Sequence, residues 1–289
     1  MHHNHFNIFK KCALEQEKEV KMFYQARNGS VKVGDADMDY ITFGKGTKVF
    51  VMIPGLGDGL RTVKGMAASF ALMYRVFAKK YKVYIFSRKN RLSENESTKD
   101  MARDTIEAMR KLGIYKACVM GVSQGGMIAQ HMAIDYPDVV EKLVLAVTES
   151  RCNETVEAMI GNWIQLARKK DYATLFIDTA EKSYSEKKLR FYRHLYPVLT
   201  RIGVPKDYER FLIQANACIQ HNAYDELERI ECNTLVICGG NDKVVGTDAS
   251  REIAKKIKDS TLIVYEGLGH MAFEETKDFN VKVLDFLDK

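Results

Sequence analysis

Gly121-Val122-Ser123-Gln124-Gly125-Gly126 follows the apolar run Ala117-Cys118-Val119-Met120 and precedes the helix-forming segment Met127 to Tyr136. A serine with glycines two residues before and two after, set between a strand and a helix, is the nucleophile-elbow pattern. A turn this tight forces the serine into strained backbone angles and lifts its hydroxyl above the sheet edge. Side chains at the flanking positions would collide with the neighbouring strand and helix, which explains the glycines. Gly126 adds a further small contact where the helix lies close to the sheet.

On the N-terminal side of the elbow the pattern is one of short β runs separated by helices. Ser30–Val33, Met38–Phe43, Lys48–Ile53 and Lys82–Phe86 read as strands, with a Gly44-Lys45-Gly46 turn. The third run ends in the glycine-rich loop Pro54-Gly55-Leu56-Gly57-Asp58-Gly59. Helices are predicted over Thr62–Lys79 and Thr98–Leu112. On the C-terminal side come a strand over Lys142–Val147 and, much later, strands over Thr234–Cys238 and Leu262–Tyr265. Helices are predicted near Ala249–Ile257 and over Ala272–Leu287. Alternation of this kind argues for a mostly parallel sheet covered on both faces. Residues 148–233 interrupt it. A structureless loop of that length is implausible in a compact domain, and Val156, Met159, Ile160, Trp163, Ile164 and Ala167 recur at helical spacing, as do Leu189, Tyr192, Tyr196 and Leu199. The segment is therefore expected to be a helical lid over the elbow. The expected organisation is an N-terminal extension over 1–29, with a helix from Ile8 to Tyr24, a core formed by 30–147 and 234–289, and a cap formed by 148–233.

A serine hydroxyl is a weak nucleophile unless a base removes its proton, and the usual base is a histidine oriented by a carboxylate. Of seven histidines, three lie in the first five residues, a mobile terminus rather than a metal site because no matching ligand set follows. His131 is on the elbow helix, and His194 and His221 are in the insertion. His270, in Gly267-Leu268-Gly269-His270, stands between the last strand and the last helix, where an open α/β sheet places its ligands. Asp242 follows its strand through Gly239-Gly240-Asn241 and lies between serine and histidine in the chain. Glu149, at the end of the strand after the elbow unit, competes for the role of acid. Asp248 reads as a helix cap. Backbone N–H groups of Gln124, after the nucleophile, and of Leu56, in the loop after the third strand, are the expected donors to a developing oxyanion.

The bulk composition fits this reading. A chain of 289 residues with 46% hydrophobic and 28% charged residues supports one sizeable core and an ordinary surface. The net charge of +6 is spread along the chain with no dense basic block, so nucleic acid is not an expected partner. The six cysteines show no close paired spacing, and there is no signal-peptide or transmembrane run. Free thiols in a cytoplasmic protein are the expectation. Arg88, Lys89 and Arg91 crowd the stretch after the fourth strand and Arg61 follows the glycine-rich loop, an arrangement expected to give the pocket mouth a positive rim that favours anionic substrates, or else a solvated loop paired with Glu94 and Glu96.

Four separated motifs in one order, Pro54-Gly55-Leu56-Gly57, Gly121-Val122-Ser123-Gln124-Gly125-Gly126, Gly240-Asn241-Asp242 and Gly269-His270-Met271-Ala272-Phe273-Glu274-Glu275, make nearly all of the chain past residue 30 resemble the α/β-hydrolase superfamily. The resemblance implies an eight-stranded, mostly parallel sheet with a helical cap inserted after the sixth strand. It places nucleophile, acid and base on Ser123, Asp242 and His270. Two departures stand out. Members commonly have His-Gly where this chain has Pro54-Gly55, and many carry Asp-x-Arg-Gly-x-Gly-x-Ser where this chain reads Ser87-Arg88-Lys89-Asn90-Arg91-Leu92-Ser93. The implied activity is hydrolysis of a small ester or thioester through an acyl-serine, with no metal or organic cofactor. Carbon–carbon bond hydrolases and aminopeptidase-like amidases share the motif set, and a ligand-binding receptor or scaffold on the same fold is the alternative outside the enzymes.

Overall fold

In the computed structural model, which describes residue 22 and residues 24–289, eight strands form one sheet in the order β1-β2-β4-β3-β5-β6-β7-β8. The strands are β1 (Arg27–Val33), β2 (Ala36–Phe43), β3 (Lys48–Ile53), β4 (Tyr81–Lys89), β5 (Ala117–Val122), β6 (Val140–Ala146), β7 (Thr234–Gly239) and β8 (Ser260–Tyr265). The expected terminal helix and the His2, His3 and His5 cluster lie outside the described residues, apart from the helix's last positions. β1 begins at Arg27, inside the stretch assigned to the extension. β1 pairs with β2, and β2 with β4, antiparallel; every pairing from β4 to β8 is parallel. Two residues, Gly34 and Asp35, join β1 to β2, and a connection that short permits only an antiparallel pair.

Parallel strands covered on both faces must be apolar throughout, and every residue of Ala117–Val122 and Thr234–Gly239 is buried. On one face α2 (Thr98–Lys111) and α3 (Gln124–Asp135) press Met101, Ile106, Ile128 and Met132 onto Val51, Val119 and Leu143. On the other, α1 (Ala67–Met73) and α10 (Phe279–Asp288) press Ala67, Ala71, Phe279 and Val283 onto Phe50, Val83 and Ile237. α2 opens on a capping box in which the Ser97 hydroxyl accepts from the Asp100 N–H and the Asp100 carboxylate accepts from the Ser97 N–H.

Between β6 and β7 stand α4 (Glu154–Arg168), α5 (Tyr172–Ser183), α6 (Glu186–Leu199) and α7 (Glu209–Ile219). The helical periodicity read at Val156–Ala167 is the buried stripe of α4. Trp163, the chain's one tryptophan, is buried there, and its Nε1–H donates to the Asp178 carboxylate of α5 at 2.8 Å. The chain enters and leaves this insertion side by side: Arg151 and Asn222 form an antiparallel bridge, and Ala223 N–H donates to Ser150 C=O at 2.7 Å.

Two predicted helices are shorter than their apolar spacing suggests. The one expected over Thr62–Lys79 is helical only over Ala67–Met73. Its start is held out of the helix because Thr62 Oγ1 donates to Asp39 and Val63 N–H donates to Ser87 Oγ; its end tightens into three-residue turns at Phe77, Ala78 and Lys80. The helix expected over Ala272–Leu287 is divided into α9 (Ala272–Glu275) and α10, because Thr276 is extended.

Candidate active site

The chain runs from β3 outward to β4 and then returns to the far side of β3 as β5. A crevice opens at the C-terminal ends of such a pair, and ligands bind at that reversal. The loops leaving β3 and β5 carry the two expected oxyanion segments. Val122, Ala146, Ile237 and Ile263 align in one row across β5 to β8, so Ser123, Glu149, Asp242 and His270 all emerge beyond the same sheet edge.

Ser123 adopts φ 53° and ψ −122°, a left-handed conformation that costs a non-glycine residue about 1–3 kcal/mol. Its surroundings enforce it. Ser123 N–H donates to Ala146 C=O at 2.9 Å, while its own C=O accepts from Gly126 N–H at 2.7 Å and from Thr148 Oγ1 at 2.8 Å. A methyl group at Gly121 would come within 2.1 Å of Gly125 C=O, and one at Gly125 within 2.0 Å of Ile53 C=O. Both glycines are therefore required by close approach, as the sequence pattern implied.

Asp242 and His270 meet. His270 Nδ1 lies 2.8 Å from Asp242 Oδ2, and the other carboxylate oxygen accepts from the N–H groups of Val244, at 2.8 Å, and Val245, at 3.1 Å. Both residues are buried. Fixing Nδ1 on the carboxylate leaves Nε2 as the ring's free nitrogen. Ser123 Oγ makes no hydrogen bond among the described residues, and such contacts often close only around bound substrate. Glu149, the competing acid, is not paired with the histidine. It is 1% exposed, neither carboxyl oxygen has a hydrogen-bond partner, and burial, reinforced by the nearby Asp242 charge, holds its pKa well above the ordinary carboxylate value. A carboxyl so placed is pushed toward its neutral form, which suits it poorly to stabilising an imidazolium.

Leu56 opens a short 3-10 turn (Leu56–Gly59) and Gln124 opens α3, so each N–H lies at a helical N-terminus where no intrahelical acceptor exists. The basic residues nearby are not a rim. Arg88 is 3% exposed: its Nη2 donates to Pro54 C=O and, at 2.9 Å, to Gln124 Oε1, while its backbone N–H donates to Asp58 Oδ2 at 3.1 Å. Burial lowers the Arg88 pKa from its usual value and the Asp58 charge opposes that shift. Lys89 is the last residue of β4 and pairs with Glu96 at 3.0 Å and Asp104 at 2.9 Å; Arg91 pairs with Asp35. Of the two readings of these residues, the pairing with Glu96 is the one seen at Lys89, while Arg88 is buried rather than solvated and Arg61 is exposed. Asp58 and Arg210 were not singled out by sequence, and Arg88 was read only as a charge at the pocket mouth, not as a buried partner of the two loops. The signal was an arginine two residues past the apolar run Val83–Phe86, within the same strand, together with an aspartate inside the glycine-rich loop.

The insertion packs against the segments that flank the site. Leu56, Met127, Val244 and Val245 share one apolar cluster with Val156, Ile160, Trp163, Phe211 and Ala215. At the junction of α5 and α6 the insertion grips the segment just past His270: Met271 N–H donates to Ser183 C=O at 3.0 Å, the Tyr184 hydroxyl to Glu274 at 2.6 Å, and Ser185 N–H to Glu275 at 2.8 Å.

Known proteins carry the same arrangement of sheet and helices. The family defined by the α/β hydrolase fold matches residues 48–277. A 2-hydroxy-6-oxononadienedioate/2-hydroxy-6-oxononatrienedioate hydrolase of Pseudomonas sp. is 27% identical over 283 residues, covering 90% of this chain and 92% of the relative. A proline iminopeptidase of Saccharolobus solfataricus is 27% identical over 219 residues, 68% of this chain and 70% of its own. Among solved structures, an α/β hydrolase enzyme from a Medee basin deep-sea metagenome library superposes with a TM-score of 0.80 at 17% identity, covering 90% of this chain and 98% of that one.

Proposed function

Because the chain belongs to the α/β hydrolase fold family and is a hydrolase, we propose that it cleaves a small ester or thioester through an acyl-serine intermediate. The observation that carries the reading is the buried Asp242–His270 pair at 2.8 Å on the sheet edge where the strained Ser123 emerges. In this reading His270 Nε2 takes the Ser123 proton as Oγ attacks the carbonyl carbon, forming the C–O bond. The tetrahedral oxyanion is held by Leu56 and Gln124 N–H. The imidazolium then gives its proton to the departing alkoxide or thiolate, and water repeats the sequence to release the acid. Asp242 holds the ring in the tautomer that leaves Nε2 basic. Residues 148–233 act as the cap. The five free cysteines among the described residues support a reducing, cytoplasmic setting.

A second reading, hydrolysis of a carbon–carbon bond beside a ketone, is favoured by the near full-length match to a relative named for a 2-hydroxy-6-oxononadienedioate. A fluorophosphonate probe followed by peptide mapping tests the shared chemistry. Ser123 is expected to be labelled, and Ser123→Ala to lose about six orders of magnitude in turnover. Absence of label at Ser123 in active enzyme would overturn the mechanism. Turnover of matched esters, thioesters and a vinylogous diketone then separates the two readings.

A further inference from the structure

The two segments that carry the proposed oxyanion donors are tied to one another and to the cap by a buried polar frame. From the core side, Arg88 joins them, with Nη2 on both Pro54 C=O and Gln124 Oε1. From the cap side, α7 grips each in turn. Arg210 donates from Nη1 to Asp58 C=O at 2.7 Å, from Nη2 to Asp58 Oδ2 at 2.8 Å, and from Nε to Lys89 C=O at 3.0 Å. One turn further, the Gln214 carbonyl accepts from Gln124 Nε2 at 2.7 Å, and Cys218 Sγ lies 3.2 Å from the same nitrogen. Gln124 and Gln214 are fully buried and Asp58 nearly so. The helix also sits directly on the loop, since a methyl group at Gly59 would come within 2.7 Å of Phe211 Cα.

We infer that α7 is a structural wall of the oxyanion hole, with Arg210 and Arg88 as positioning residues, so that the hole is assembled only while the cap is seated. The inference rests on the oxyanion roles proposed above. Its physical basis is that Leu56 belongs to a single 3-10 turn, too short to hold its own geometry. Asp58, within that turn, is anchored by β4 through the Arg88 N–H and by the cap through Arg210. Removing Arg210 strips two donors from the turn, those on Asp58 C=O and Asp58 Oδ2, and leaves the Asp58 carboxylate to Arg88 alone. Removing Arg88 releases both oxyanion segments at once.

Arg210 is the residue to change, because it is partly exposed and belongs to the insertion rather than to the sheet. Hydrogen–deuterium exchange is followed in Arg210→Met and Arg210→Lys alongside steady-state kinetics. In Arg210→Met, amides of residues 55–60 are expected to exchange at least several-fold faster while the strands keep their protection. The same variant is expected to lose about 10- to 100-fold in kcat, less than deletion of an oxyanion donor, with KM changed by under about threefold. Arg210→Lys keeps one charge but not the fork and falls between the two. Unchanged exchange over residues 55–60 overturns the inference, as does a rise in KM with kcat intact, which would make the cap a substrate-binding element only. Faster exchange in a chain whose Ser123 resists the fluorophosphonate would uphold the coupling and sink the hydrolase reading instead.

Discussion

Asp242 and Glu149 are two carboxyls within one sheet edge whose surroundings give them opposite states. Asp242 has three hydrogen-bond donors around it and Glu149 has none on its carboxyl oxygens. Asp242→Asn is expected to lower turnover about 10⁴-fold by presenting an amide to His270 and favouring the unproductive tautomer. Glu149→Gln is expected to leave turnover within a few-fold. It should change stability instead, with a definite sign. The folded-state pKa of Glu149 lies above its unfolded value of 4.5, so above that pH the unfolded chain releases a proton that the folded chain retains, and stability is lost as pH rises. The glutamine variant lacks this penalty, so its advantage over the native chain grows between pH 5 and 8. Urea midpoints at the two pH values check it; an advantage that shrinks with pH would mean that Glu149 is ionised in the fold. At this scale the positions of Ser123, Asp242 and His270 on one sheet edge were legible, because each sits in a local signature. Arg88 was not. An arginine is rarely buried unless paired, and its partners Pro54 and Gln124 lie far from it along the chain.

Among the elements, the root of the cap carries a feature with a pH signature. His131, on α3, and His221, just past α7, pack edge to face with ring centroids 5.2 Å apart, beneath the bridge between Arg151 and Asn222. His221 Nδ1 is 2.9 Å from Thr98 Oγ1, while its Nε2 and His131 Nδ1 have no hydrogen-bond partner. Burial, with His131 alongside, pulls His221 down to about 3 from 6.5, and burial lowers His131 as well. Lys99 opposes charging of His131, and Asp135 and Glu226 favour it. With folded values below unfolded ones, the unfolded chain binds protons first, so stability is complete above pH 6.5 and falls as pH drops toward 3. At pH 4.5 His221 alone accounts for roughly 2–3 kcal/mol. His221→Gln is expected to flatten the loss between pH 7 and 4.5, and an equal loss in both proteins would refute the assignment. Element types were legible from periodicity, but two helix ends were not: Thr62 and Val63 are recruited by Asp39 and Ser87, contacts that no window of sequence contains.

On the scale of the whole molecule, most of the basic charge near the site is drawn into ion pairs. Of the four basic residues read as a rim, Arg88, Lys89 and Arg91 pair with Asp58, Glu96, Asp104 and Asp35, and Arg61 is exposed. Matched neutral and anionic esters are therefore expected to keep a constant ratio of kcat/KM between 0.1 and 1 M salt, over which the screening length falls from about 10 to 3 Å. A ratio that drops for the anionic ester would restore the steering role. The strands and the inserted helices were legible because each strand is a short apolar run bounded by turn residues; the order of the strands in the sheet was not read from the sequence. How the insertion is fastened was not, since every fastening joins residues distant in sequence. That fastening makes the position of Trp163 useful. With no second indole anywhere in the chain and this one sealed between α4 and α5, intrinsic tryptophan emission is a private optical report on the insertion. Far-ultraviolet dichroism, by contrast, averages over all the helices. If the insertion loosens before the sheet, the emission transition precedes the dichroism transition, and the gap between the two curves measures the free energy of that loosening.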